Sequence, residues 1–160
     1  MSAQMLRVTA REALSPLVTR FRFEHPEGAD LPLFSGGAHV VVEMPDGDVL
    51  RRNAYSLISD PLDGSGYEIA VRREDGGRGG SVFLHRRVAV GDLLRISAPL
   101  NLFALDLRAK KHVMIAGGIG ITPFVAQLKQ LARLQMPFEL HYAARSRAEA
   151  AGLALLPDLP

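Results

Sequence analysis

The stretch Gly117-Gly118-Ile119-Gly120-Ile121-Thr122-Pro123 constrains the fold more than any other part of this chain, because of what flanks it. Before it lies an apolar run, His112 to Ala116, and after it an amphipathic run from Pro123 to about Leu134. A strand, a glycine turn and a helix in that order commit the chain to a crossover, so the next apolar run, Phe138 to Ala143, reads as a second strand parallel to the first. This is a βαβ unit, the opening of a doubly wound α/β region. Thr122 reads as the N-cap and Pro123 as the first helical residue, where its missing N–H costs nothing. Glycine lets backbone approach a ligand closely, and a helix start attracts anions. Gly117, Gly118, Gly120, Thr122 and Pro123 are therefore candidates for holding phosphate. Pro123 occupies the third glycine position of the plain GxGxxG pattern, and a tight turn without a ligand is the competing reading.

Upstream of about residue 100 the period is two rather than 3.6. Short alternating segments are broken by Gly, Pro and Asp, and they predict strands at Leu6 to Arg11, Val18 to Glu24, His39 to Glu43, Leu50 to Ile58, Tyr67 to Arg73 and Leu93 to Ser97. Pro45-Asp46-Gly47-Asp48 is a hairpin signal. Six short strands predict a closed antiparallel barrel, since closure removes exposed edges. One short helix interrupts it, beginning near Gly80 and carrying Val82, Phe83 and Leu84. The fold class is thus mainly β: a six-stranded antiparallel barrel over residues 1–106, then a partial α/β domain over 111–160, divided near 106–111.

Composition removes several functional classes. Hydrophobic residues make up 48% of the chain and charged residues 22%, which are the proportions of a packed protein. The net charge of +2 provides no basic stripe, so nucleic acid is not expected as a partner. No apolar run reaches spanning length and no signal-peptide core is present; no membrane is expected, and the cytoplasm is the default location. With no cysteine, a disulfide, a thiolate zinc site, a cysteine nucleophile and an iron–sulfur cluster carried by this chain are all excluded. The five histidines show no metal-ligand spacing, and no metal is expected.

Two further segments carry chemistry. In Arg52-Asn53-Ala54-Tyr55-Ser56-Leu57, strand alternation points Tyr55 and Leu57 one way and Ala54 and Ser56 the other. An aromatic ring beside a hydroxyl suits a flat heteroaromatic ligand that also needs a hydrogen bond; a half-buried strand aromatic is the plainer alternative. In Gly76-Gly77-Arg78-Gly79-Gly80-Ser81 the glycines open a short helix, with free N–H groups, a hydroxyl and the positive end of the helix dipole suited to phosphate. Arg78 and Arg52 could add charge-assisted contacts. A glycine-rich hairpin tip is the alternative there.

Taken in order, RNAYSL, YEIAVRRE (Tyr67 to Glu74), GRGGS with VFLH, GDLLRISAPLNLF (Gly91 to Phe103) and HVMIAGGIGITPF (His112 to Phe124) resemble the ferredoxin reductase-like flavoproteins. The likeness is to the phthalate dioxygenase reductase branch, the reductase components of Rieske-type oxygenases, and it runs from about Leu6 to Arg147. The resemblance implies a flavin barrel with one capping helix. It also implies an RxYS motif in which the arginine grips phosphate, the tyrosine packs on the isoalloxazine ring and the serine reaches the flavin N5 edge. Tyr55 and Ser56 match that motif. Asn53 takes the arginine's usual place, and Arg52 stands three residues before Tyr55. Ala70, Val71 and Arg72 match a segment whose backbone faces the flavin pyrimidine edge. Gly79, Gly80 and Ser81 match the phosphate turn, while Gly117, Gly118, Gly120, Thr122 and Pro123 match the loop for the dinucleotide phosphates. Implied cofactors are FMN, with FAD as the alternative, and NAD(P)H as hydride donor. Hydride would pass to flavin N5 beside Ser56, the candidate catalytic residue, and electrons would leave singly to an iron–sulfur partner.

Members of that branch continue into the rest of the nucleotide domain and a ferredoxin domain with CxxxxCxxC spacing. Here only residues 124–160 follow the glycine turn. The single helix leaves one face of the parallel pair uncovered. Three accounts fit: an expressed fragment, a truncated product, or one subunit of a split reductase whose nucleotide domain a second chain completes. Two functional expectations follow. One is the flavin-binding part of an NAD(P)H-dependent reductase that feeds an iron–sulfur protein or oxygenase component; the other is a flavin-binding module without turnover of its own.

Overall fold

In the computed structural model, residues 3–146 and 150–156 are described. Six strands, β1 (Gln4–Ala13), β2 (Val18–Glu24), β3 (His39–Asp46), β4 (Val49–Ser56), β5 (Tyr67–Arg72) and β6 (Leu93–Ile96), form one sheet in the order β4-β3-β6-β1-β2-β5. Every neighbouring pair is antiparallel. Alternation explains the curl. Along β2 and β3 the inward residues Phe21, Phe23, Val40, Val42 and Met44 are fully buried, while their neighbours Arg20, Arg22, Val41 and Glu43 are not. A register shift between Val8 and Ala10 marks a bulge in β1, which sharpens the bend. The β3–β4 hairpin turns on Gly47, whose φ of 61° lies in the left-handed region that the turn needs.

The edge strands meet at one end only. Leu57, just past β4, bridges to Ile69 of β5, and the Ile58 N–H donates to the Glu68 carbonyl at 2.9 Å. Away from this bridge no ladder joins β4 to β5 among the described residues. The helix α1 (Gly80–Arg87) lies at that open end, with Leu84 completing the core.

After the barrel come β7 (His112–Gly117), a 3-10 turn (Gly118–Ile121), α2 (Thr122–Arg133), β8 (Phe138–Ala143) and a second 3-10 turn (Ala151–Leu155). β7 and β8 are parallel, pairing His112 with Phe138 through Gly117 with Ala143. The expected N-cap is displaced. The 3-10 turn runs straight into α2, so Ile121 is the cap residue and Thr122 is already helical. The Thr122 hydroxyl donates back to the Ile119 carbonyl at 3.1 Å instead of capping the helix. Residues 147–149 and 157–160 of the expected second domain lie outside the described residues, as does Arg147, the far end of the resemblance.

α2 seats this unit on the barrel. A shared apolar cluster joins Val18, Ile58 and Ala70 of the barrel to Ala116, Ile121, Val125 and Leu155. Around it run polar ties. Lys129 Nζ donates to the Ile58 carbonyl at 2.9 Å, Gln127 Nε2 to the Phe103 carbonyl at 2.6 Å, and the Gly36 N–H to Gln130 Oε1 at 2.7 Å. Arg133 pairs with Asp60, and that guanidinium holds the carboxyl below its usual range. Among the described residues no helix is long and apolar enough to cross a membrane.

Candidate functional site

β4 supplies one wall of the site. Its register sets Arg51, Asn53 and Tyr55 opposite the inward residues Met44, Val42 and Val40, so these three side chains lie on the interior side, facing α1 and the barrel mouth. Leu57 continues that series and is wholly buried in the core. Tyr55 is half-buried, and its hydroxyl oxygen accepts from Asn53 Nδ2 at 3.2 Å. Burial pushes the Tyr55 hydroxyl above its ordinary pKa, against the opposing effect of the Asn53 bond, so it stays protonated at neutral pH. Arg52 turns the other way and donates to Glu43 Oε1 at 3.0 Å. Ser56 Oγ has no hydrogen-bond partner among the described residues.

The turn before α1 is the second wall. Gly79 has φ 88° and Gly80 starts the helix, with no side-chain cap. The first N–H groups of α1 therefore lack an intrahelical partner, as at any helix start. Ser81 Oγ accepts from the Glu74 N–H at 3.0 Å, tying the turn to the end of β5. Arg78 has no carboxylate partner among the described residues. On β5, Ala70 is nearly buried and Val71 lies in the core. Arg72 Nε stands 2.9 Å from Glu74 Oε1, an ion-pair distance at an angle that makes no hydrogen bond.

The glycine turn after β7 forms the third wall. At Gly117, Gly118 and Gly120 an added Cβ would meet nothing within 4 Å, so the turn presents open backbone. Gly118 has φ 51°.

These walls enclose a continuous trough. A cleft of about 410 Å³ is lined by Arg52 to Tyr55, Arg72, Glu74, Gly77, Arg78, Gly80 and Ser81. The next, about 420 Å³, is lined by Ala54, Tyr55, Ser56, Ala70, Arg72, Glu74, Ile119, Gly120, Thr122 and Pro123. A third of about 510 Å³ continues over Gly117, Gly118, Ile119 and Ala143 to Arg145, and again shares Arg72 and Glu74. A side pocket of about 310 Å³ adjoins Ser56 and carries His39, Leu102 and Phe103. Asn53, Tyr55, Ser56, Ala70, Arg72, Gly80, Ser81, Gly117, Gly118, Gly120, Thr122 and Pro123 are brought together. Leu57 and Val71 place their side chains in the core and can offer only backbone. Gly79 lies outside the lining, and the Arg52 guanidinium is engaged by Glu43. Three charged residues are additional to the sequence reading: Arg51, which shares its strand face with Asn53 and Tyr55, Glu74 just past the end of β5, and Arg145 just past β8. The period-two rule applied one step upstream of Asn53 would have found the first.

The chain is similar to the solved structure of phthalate dioxygenase reductase, described as a modular structure for electron transfer from pyridine nucleotides to 2Fe-2S. The two superpose with a TM-score of 0.85 at 37% identity, over 90% of this chain and 44% of that one. It is 51% identical over 141 residues to the carnitine monooxygenase reductase subunit of Escherichia coli strain K12, covering 88% of this chain and 44% of the relative. It is 39% identical over 141 residues to the phthalate dioxygenase reductase of Burkholderia cepacia, covering 88% of this chain and 43% of the relative. This chain therefore spans less than half the length of these curated relatives. The barrel, the glycine turn before α1 and the β4 motif fall within residues 5–105, which match the model of the oxidoreductase FAD-binding domain, and the chain belongs to that family.

Proposed function

We propose that this chain is the flavin-binding portion of an NAD(P)H-dependent reductase of an oxygenase system, divided near residues 106–111 into a flavin barrel and part of a dinucleotide-binding domain. The observation that supports this reading is the trough itself, which joins the uncapped start of α1 to the glycine turn after β7 and passes Ser56 on the way. The residues suit a flavin: phosphate at Gly80 and Ser81 beside Arg78, which has no carboxylate partner among the described residues, and the ring against Tyr55 with backbone of β5 at its edge. FMN is the expected form and FAD the alternative. A flavin held there would supply the conversion of a two-electron donor, NAD(P)H, into single electrons for an iron–sulfur partner. The chain's own contribution is placement. Tyr55 would pack on the ring with the backbone of Ala70 to Arg72 at its edge, Ser56 Oγ would offer a hydrogen bond at the reacting edge, and the Gly117–Pro123 turn would receive the dinucleotide phosphates, with Arg72 between the two glycine turns. The acceptor would be an iron–sulfur protein or oxygenase component on another chain or segment, and the location the cytoplasm.

One observation favours a second reading, a flavin-binding module without turnover. On the side of the β7–β8 pair away from α2, Val113 is 60% and Ile115 76% exposed, so the dinucleotide half presents an uncovered sheet face. A second chain or further segment completing that half would restore turnover. An absorbance spectrum from 300 to 550 nm, with mass spectrometry of the heat-released ligand, tests the flavin. Steady-state NADH oxidation with ferricyanide then separates the readings, since turnover with a low KM excludes the inert module. A colourless protein that takes up no added flavin overturns both.

A further inference from the structure

Resting on the flavin reading above, we propose that Arg51 is a positioning residue that shapes the phosphate turn and thereby sets the chain's preference for a phosphorylated flavin. The RxYS position is Asn53 here, and Arg52, the nearest arginine, is committed to Glu43 on the outer side of the strand. Arg51 lies on the correct face. Two residues before Asn53 on β4, it projects to the same side and reaches beneath the turn rather than into the cleft, whose lining it does not join.

Its guanidinium makes two directed contacts. Nη1 donates to the Arg78 carbonyl, and Nε donates to Asp46 Oδ2 at 2.9 Å. The peptide unit is planar and trans, so drawing the Arg78 carbonyl toward β4 turns the Gly79 N–H the opposite way, away from Arg51. The fit is close. A Cβ built on Gly79 would lie 2.9 Å from the guanidinium carbon, and one on Gly80 would lie 2.6 Å from Asn53 Nδ2. Gly79, at φ 88°, thus sits directly on Arg51, and Gly80 on Asn53. Asp46 also stands 3.9 Å from Arg87 Nε at the other end of α1, so the Asp46–Arg51 pair is coupled to both ends of this helix. A lysine could not repeat the arrangement, because its single ammonium lacks the planar fork that serves a carboxylate and a carbonyl together.

The test compares FMN with riboflavin, which differ only in the phosphate. The full chain, stripped of ligand, is titrated with each by fluorescence quenching, as wild type, Arg51→Gln, Arg51→Lys and the control Arg20→Gln, which breaks a surface pair with Glu12 remote from the trough. Arg51→Gln is expected to weaken FMN by about 10- to 100-fold, the scale of a lost charge-assisted contact, and riboflavin by less than about threefold. Arg51→Lys, which keeps the charge should glutamine fail to fold, is expected to lose the preference in part; Arg20→Gln keeps it. An unchanged FMN-to-riboflavin ratio in both Arg51 variants overturns the proposal while leaving the flavin reading intact. Equal weakening of both ligands overturns it too, since that marks a merely structural residue. A wild type that binds neither ligand removes the flavin reading itself.

Discussion

Ser56 stands at the junction of the trough with its side pocket, and its hydroxyl has no hydrogen-bond partner among the described residues. If Ser56 takes the proposed place at the reacting edge, a Ser56→Ala change removes one hydrogen bond to the flavin and no core contact. Flavin reduction by NAD(P)H is expected to slow about tenfold, while the flavin dissociation constant changes less than about threefold. Stopped-flow reduction beside a binding titration reads both, and unchanged reduction would remove Ser56 from the reacting edge. His85 supplies a different kind of prediction. Its ring lies within hydrogen-bonding distance of the Val71 carbonyl (Nε2, 2.8 Å) and Thr19 Oγ1 (Nδ1, 3.4 Å), and burial lowers its proton affinity, opposed by the Val71 bond. The unfolded chain then binds the proton more readily than the folded one, so this contribution to stability is complete above the ordinary histidine value of about 6.5 and is lost as pH falls through the lower folded value. Urea unfolding at pH 7.5 and 5.5 is expected to show a larger drop for wild type than for His85→Gln; equal drops would refute the assignment. Of these two residues, Ser56 was legible in its motif. His85 was not, because its role comes from Val71 and Thr19, which are distant in sequence.

At the scale of elements, the seating of α2 decides whether the two glycine turns face one trough. Gly36 lies directly against the backbone of α2. An added Cβ would lie 2.6 Å from the Cα of Gln127 and 2.8 Å from its nitrogen, both backbone atoms that cannot rotate aside. Gly36→Ala is therefore expected to cost about 1–3 kcal/mol through displacement of α2. Thermal unfolding measures it, and an unchanged Tm would show that the interface yields easily. The strands, α1 and the βαβ order were legible from periodicity and glycine placement. The helix start was not: Thr122 has the chemistry of an N-cap, but the preceding residues already turn as a 3-10 segment, and its hydroxyl satisfies the Ile119 carbonyl instead. Local propensity yielded there to the geometry of a turn running directly into a helix.

For the molecule as a whole, the two faces of the β7–β8 pair make opposite predictions. Met114 is buried against Leu128 and Leu131 of α2, and Met114→Ala is expected to destabilise by about 2–5 kcal/mol. Ile115, one residue on, points to the uncovered face, so Ile115→Lys is expected to stay within about 0.5 kcal/mol in this chain. Denaturant midpoints compare the two, and a large loss at Ile115 would mean that something covers that face in solution. The sequence by itself determined the strand and helix periods, the order of a run of short strands before a βαβ unit, and the residue types of both glycine turns, because each depends on neighbours a few positions away. Tertiary structure alone decided that the turns open into one trough, that Leu57 and Val71 belong to the core, and that Arg51 rather than Arg52 lies under the glycine turn before α1. Those outcomes depend on which strand faces meet, and on where α1 and α2 come to rest against the barrel, which are contacts between segments far apart in the chain.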